Sequence, residues 1–86
     1  MAWKIEIGDD RVRGEVEAFP ADVLARFRRI AELIQAHGPE HLHERHVKRL
    51  DALNWEIRIL GRNGLVYKVF FSLSGSDIVI DRACVE

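Results

Sequence analysis

The sequence predicts an α+β domain: a short N-terminal strand, one or two helices packed on an antiparallel sheet, and a C-terminal three-stranded meander. Three observations predict it. Two alternating runs flank a turn at Arg62-Asn63-Gly64. An apolar stripe of helical period precedes them, from Val23 to Ile34. The order of elements is β, then helix, then strands, which places the helices on one sheet face.

The hairpin organises the chain. In a strand every second side chain points to the same face. Trp55, Ile57 and Ile59 therefore pack inward, and Glu56 and Arg58 point outward. On the partner run Tyr67, Val69 and Phe71 pack inward, while Lys68 points outward between Val66 and Phe70. Asn63-Gly64 is a hairpin signal because both residue types tolerate positive φ. The hairpin thus presents Glu56, Arg58 and Lys68 on one open face. Tyr67 shares the inward parity and reads as core.

The remaining elements follow in order. Trp3, Ile5 and Ile7 alternate with Lys4 and Glu6, a first strand ended by Gly8-Asp9-Asp10. Residues 11–18 form a short helix capped by Asp9 or Asp10, weakened by Gly14. Pro20 opens the main helix, since a missing N–H costs nothing in the first turn. Val23, Leu24, Phe27, Ile30, Ala31 and Ile34 keep helical spacing until Gly38-Pro39 stops it. A helix of about 17 residues spans roughly 25 Å, enough to cross a small sheet. Arg28 and Arg29 read as its solvated side. Residues 39–53 read as a polar linker pinned by Val47, Leu50 and Leu53, with Lys48 and Arg49 outward. Ser74-Gly75-Ser76-Asp77 is a second turn, and Ile78 to Val85 a further strand. Its faces stay open: Ile78, Ile80, Arg82 and Cys84 share one parity, and Val79, Asp81, Ala83 and Val85 the other.

Composition bounds the function. Residues 1–86 make one small domain, which buries roughly 60–65% of its unfolded surface. A hydrophobic content of 48% argues against disorder. No apolar run approaches the ~20 residues of a membrane span, and the N-terminus lacks the apolar core of a signal peptide. A lone cysteine, Cys84, allows no internal disulfide and fits a reducing, cytoplasmic setting. The net charge of −1 hides a polarity. Residues 1–44 are net −3, residues 45–68 net +4, and residues 69–86 net −2. The positive charge sits on and just before the hairpin. Such a patch suits phosphate binding, and reads equally as a solvated surface.

His37, His41, His43 and His46 raise the question of a metal. Zinc sites need well-placed ligands in a recognisable context, which His41-x-His43-x-x-His46 lacks. The expectation is no metal and no cofactor, with one of these histidines free to approach RNA instead.

The order of elements and several short runs together resemble the RelE/HigB-type toxins of bacterial toxin–antitoxin modules, and within them the phage-derived HigB-like branch. The runs are Phe19-Pro20 at the helix start, Gly38-Pro39 at its stop, His46-Val47-Lys48-Arg49-Leu50-Asp51-Ala52-Leu53, and Trp55-Glu56-Ile57-Arg58. They continue with Gly64 before Tyr67-Lys68-Val69-Phe70-Phe71, and with Ile78-Val79-Ile80 and Ala83-Cys84-Val85. The resemblance covers most of the chain through short, degenerate motifs. Lys68 stands where arginine is usual, Phe71 where tyrosine is common, and Arg82 where the branch often has histidine. Relatives continue past the position of Glu86 with a basic segment, so by that pattern the chain is C-terminally short.

The resemblance implies a RelE/ParE-like fold. It also implies a ribosome-dependent endoribonuclease that cuts messenger RNA and is held inactive by a cognate antitoxin. By matched position, Arg58 and Lys68 face the RNA, and Lys48 and Arg49 match the basic approach to that face. Arg62, Arg82 and His46 complete the RNA-contact candidates. The chemistry is attack of the RNA 2′-OH on the adjacent phosphorus. Arg58 and Lys68 suit stabilisation of the phosphorane. Glu56, the carboxylate on the hairpin face, is the candidate base, or else a cross-strand ion-pair partner of Lys68. Two other readings stand beside this one: a ParE-like toxin that binds DNA gyrase, and a non-catalytic RNA- or partner-binding relative.

Overall fold

The computed structural model describes residues 3–42 and 46–86. Strand β1 (Lys4–Ile7) leads to helices α1 (Asp10–Glu17) and α2 (Ala21–His37). Strands β2 (Val47–Arg49), β3 (Asn54–Leu60), β4 (Val66–Ser74) and β5 (Asp77–Val85) complete the chain. One five-stranded mixed sheet runs in the order β1-β5-β4-β3-β2. β1 is parallel to β5, and all other neighbours are antiparallel. This is the expected α+β class, with the meander carrying a fourth strand.

Each helix has a local cause. Asp9 caps α1 by accepting from the Val12 N–H at 2.9 Å. Pro20 takes the N-cap position of α2, and Gly38 at φ +86° turns the chain out after it. A side chain at that φ is strained, and a Cβ there would meet the Trp3 indole nitrogen at 2.9 Å. Val23, Phe27, Ile30 and Ile34 form the buried stripe of α2, while Arg28 and Arg29 are exposed.

The core lies between the helices and one sheet face. Val12 and Val16 of α1 meet the stripe of α2 and the inward rows Trp55-Ile57-Ile59, Tyr67-Val69-Phe71 and Ile78-Ile80-Ala83. Trp55 stacks on Phe71 with ring centroids 6.1 Å apart. Tyr67 meets the Phe19 ring edge-on and accepts from Asn63 Nδ2 at 2.8 Å. It is a core residue, as its parity predicts.

Two expectations need correction. Residues 39–53 are not a plain linker. A 3₁₀ turn at Pro39–Leu42 and the edge strand β2 lie within them. Three residues of strand are too few to show a period, which is why alternation misses β2. Of the three residues expected to pin this segment, only Val47 is buried; Leu50 and Leu53 are 47% and 58% exposed. They flank a tight turn held instead by Asp51. Its Oδ1 accepts from the N–H groups of Leu53 and Asn54, at 2.9 Å each.

The open parity of the last strand is settled by a β-bulge. Phe71 pairs with Ile80 but Phe70 pairs with Arg82, so Asp81 is the extra residue. The buried row therefore slips by one, from Ile78 and Ile80 to Ala83. Arg82 and Cys84 consequently share the open face with Lys68.

Candidate functional site

The site is built on the sheet face opposite the helices. β3 and β4 are joined through Gly61–Leu65, where the Gly64 N–H donates to the Gly61 carbonyl at 3.0 Å. Gly64 takes φ +85°, a left-handed conformation that an L side chain resists. This turn sets the register in which Arg58 lies directly opposite Lys68. One step along the ladder, Glu56 lies between Lys48 and Phe70, and Phe70 lies opposite Arg82. One step the other way, the Glu86 N–H donates to the Val66 carbonyl at 2.8 Å and continues the β4–β5 ladder.

Two carboxylates bracket the two cations. Glu56 Oε1 is 3.8 Å from Arg58 Nε, and its Oε2 is 4.0 Å from Lys68 Nζ. These are ion-pair distances without direct hydrogen bonds. Glu86 approaches more closely, with Oε1 3.1 Å from Lys68 Nζ and Oε2 3.3 Å from Arg58 Nη2. Lys68, by its hydrogen bond and then its charge, holds the Glu86 carboxyl below the usual carboxylate range, with Arg58 adding a smaller pull.

Glu56 has the expected parity but not the expected exposure. At 6% accessible it is the buried charged residue among those described. A buried carboxylate is retained only with compensating charge, which Arg58 and Lys68 supply. The arrangement is thus a pair of opposed cations with a desolvated carboxylate beside it. Such a cluster can hold an oxyanion and accept a proton from a group next to it.

The other predicted site residues divide. Lys48 and Arg82 are exposed and flank the cluster, Lys48 beside Glu56 and Arg82 across Phe70. Arg49 alternates to the helix-side face, where its guanidinium lies 5.8 Å from the Trp55 ring centroid. Arg62 sits at the hairpin tip, with its N–H on Asp22 Oδ2 at 2.9 Å. That bond is the largest cause of the lowered Asp22 pKa. His46 lines a groove with Arg26, Arg29 and Leu33 of α2 and with Ile59 and Leu60 of β3. Its carbonyl, rather than its ring, reaches the cluster, accepting from the Arg58 N–H at 2.9 Å. His43 and Arg45 lie outside the described residues, as does the side chain of His41. Among the described residues no group of three His, Cys, Asp or Glu side chains is placed to hold a metal ion, and no helix is long and apolar enough to cross a membrane.

Sequence reasoning missed Glu86 and Phe70 as members of this face. Phe70 was legible, as the outward neighbour of Lys68. Glu86 was hidden by the bulge, although the slip of apolar parity between Ile80 and Ala83 marks it.

The fold has a known counterpart. The structure superposes on an arginine-to-alanine double mutant of the E. coli toxin RelE in the free state, with a TM-score of 0.73. The match covers 96% of this chain and 82% of that one, at 12% sequence identity. The chain therefore has a RelE-like fold. No protein-family model and no curated protein sequence matches it.

Proposed function

We propose that this chain is the toxin of a RelE-type toxin–antitoxin module, an endoribonuclease of the HigB-like branch that cuts messenger RNA on the ribosome. The observation that carries the reading is the Arg58–Lys68 pair, directly opposed across two strands with Glu56 beside both. The RelE-like fold supports it.

In this mechanism the scissile phosphodiester lies over Arg58 and Lys68. Glu56 takes the proton of the 2′-OH, whose oxygen then bonds to the adjacent phosphorus. Negative charge grows on the phosphorane oxygens, where fixed cations act most strongly. The P–O5′ bond breaks, the 5′ oxygen takes up a proton from the Lys68 side, and a 2′,3′-cyclic phosphate and a 5′-OH result. Lys48 and Arg82 extend the positive track along the RNA backbone. A cognate antitoxin covering this face silences the toxin.

Toe-print mapping of message on translating ribosomes tests the reading. Cuts in the decoding site that vanish with Arg58→Ala are expected. Uncut message with a folded, ribosome-bound wild-type chain would rule out the ribonuclease. Growth arrest accompanied by DNA-damage signalling would point to gyrase instead.

A further inference from the structure

We propose that Glu86 is a built-in competitor for the anion site, a carboxylate that occupies the Arg58–Lys68 pair and must swing out before a phosphate can bind. The inference rests on the reading above for the identity of the anion, a phosphodiester; the competition itself needs only an oxyanion.

The backbone places the competitor. The Glu86 N–H on the Val66 carbonyl extends the β4–β5 ladder beyond Val85. With the bulge at Asp81, alternation then sends the Glu86 side chain to the face that carries Lys68 and Arg58. Its two oxygens divide between the two cations, at 3.1 Å and 3.3 Å. A carboxylate and a phosphodiester each present two charged acceptor oxygens, and a lysine–arginine pair binds either in the same way. The two cannot occupy the pair together.

Charge and exposure make the contact reversible. With Glu86 in place, two cations face two carboxylates and the cluster is neutral. With Glu86 swung out, Glu56 alone opposes Arg58 and Lys68, and the cluster becomes an anion receptor. The Glu86 side chain is half exposed, so the ion pair is a weak one by the standard of exposed pairs. A glutamate is ionised at neutral pH in any case, and the pull of Lys68 and then Arg58 extends that charge to lower pH.

The test measures binding of a short 2′-O-methyl RNA, which cannot undergo 2′-OH attack, and separately of inorganic pyrophosphate. Wild type is compared with Glu86→Gln and with Glu17→Gln, which removes an equal charge from the exposed end of α1. Glu86→Gln is expected to bind both probes about fivefold more tightly. The gain should shrink at high salt and disappear in Arg58→Ala/Glu86→Gln. Thermal unfolding verifies that each variant is folded.

The outcomes separate cleanly. RNA binding that depends on Arg58 but is unchanged by Glu86→Gln overturns the competition and leaves the ribonuclease reading standing. A gain for pyrophosphate without any RNA binding sustains the competition and overturns a phosphodiester as its anion, while the toe-print mapping decides the ribonuclease separately. An equal gain in Glu17→Gln, or no anion binding by Glu86→Gln at all, overturns the competition.

Discussion

Lys68 lies directly opposite Arg58 in the β3–β4 ladder, so two positive side chains occupy a cross-strand position where like charges repel. Glu56 and Glu86 offset that repulsion from either side. A pairing that works against the sheet is the kind of local conflict expected where function takes precedence over stability.

Under the proposed function, Arg58→Ala is expected to reduce ribosome-dependent RNA cleavage by about 10²–10³-fold, the scale of removing one preorganised donor from a developing oxyanion. Arg58→Lys should fall between, since it keeps the charge but loses the two-pronged guanidinium. Single-turnover cleavage of a defined message, with circular dichroism to confirm folding, checks both.

Glu56→Gln separates binding from chemistry. If Glu56 is the base of the proposed reaction, its loss lowers the rate by about 10²–10⁴-fold, whereas removing a negative charge beside Arg58 and Lys68 leaves RNA affinity unchanged or tighter. Equal loss of affinity and rate would show that Glu56 acts only as an ion-pair partner.

Phe71→Tyr probes a departure from the resembling family. Phe71 is 1% exposed against Trp55, and a hydroxyl buried there without a partner costs about 1–3 kcal/mol. Urea denaturation should show a lower midpoint at an unchanged slope.

Gly61 and Gly64 bound the same turn but should respond differently to alanine. A Cβ on Gly64 has open space and meets only the cost of its φ of +85°, about 1–2 kcal/mol. A Cβ on Gly61 would lie 2.8 Å from Asn63 Oδ1, 3.0 Å from the Tyr67 ring and 3.1 Å from Val23. Gly61→Ala is expected to disturb the Asn63–Tyr67 bond, read as a change in tyrosine fluorescence or ring NMR shifts that Gly64→Ala lacks.

Stability should fall in acid. Asp22 is held low chiefly by the Arg62 N–H, Asp51 by the Asn54 side chain, and Glu86 by Lys68. Each folded-state pKa lies below its unfolded value, so the contribution is fully present above the unfolded pKa of about 4. It is lost as pH falls through the folded pKa. Thermal unfolding from neutral to strongly acidic pH should show this drop, flattened in Asp22→Asn and Asp51→Asn.

The pairing of Arg58 and Lys68 on one sheet face was legible because strand alternation is a local rule, and two long strands around an Asn-Gly turn obey it without help. The same rule placed Trp55, Ile57, Val69 and Phe71 in the core, and helical spacing did so for Val23, Phe27, Ile30 and Ile34. Asp9, Pro20 and Gly38 announced the helix ends through their own backbone chemistry. Chain-local preferences of this kind need no partner to be read.

What the tertiary structure alone decided is where separate segments meet. The bulge at Asp81 is a feature of the pairing of β5 with β4, and it sets which face Arg82, Cys84 and Glu86 occupy. β2 exists as a strand only because β3 offers it an edge, which sends Arg49 to Trp55 and leaves Lys48 beside Glu56. The burial of Glu56 and the grip of Glu86 on both cations arise from the same long-range register, which no single stretch of residues encodes.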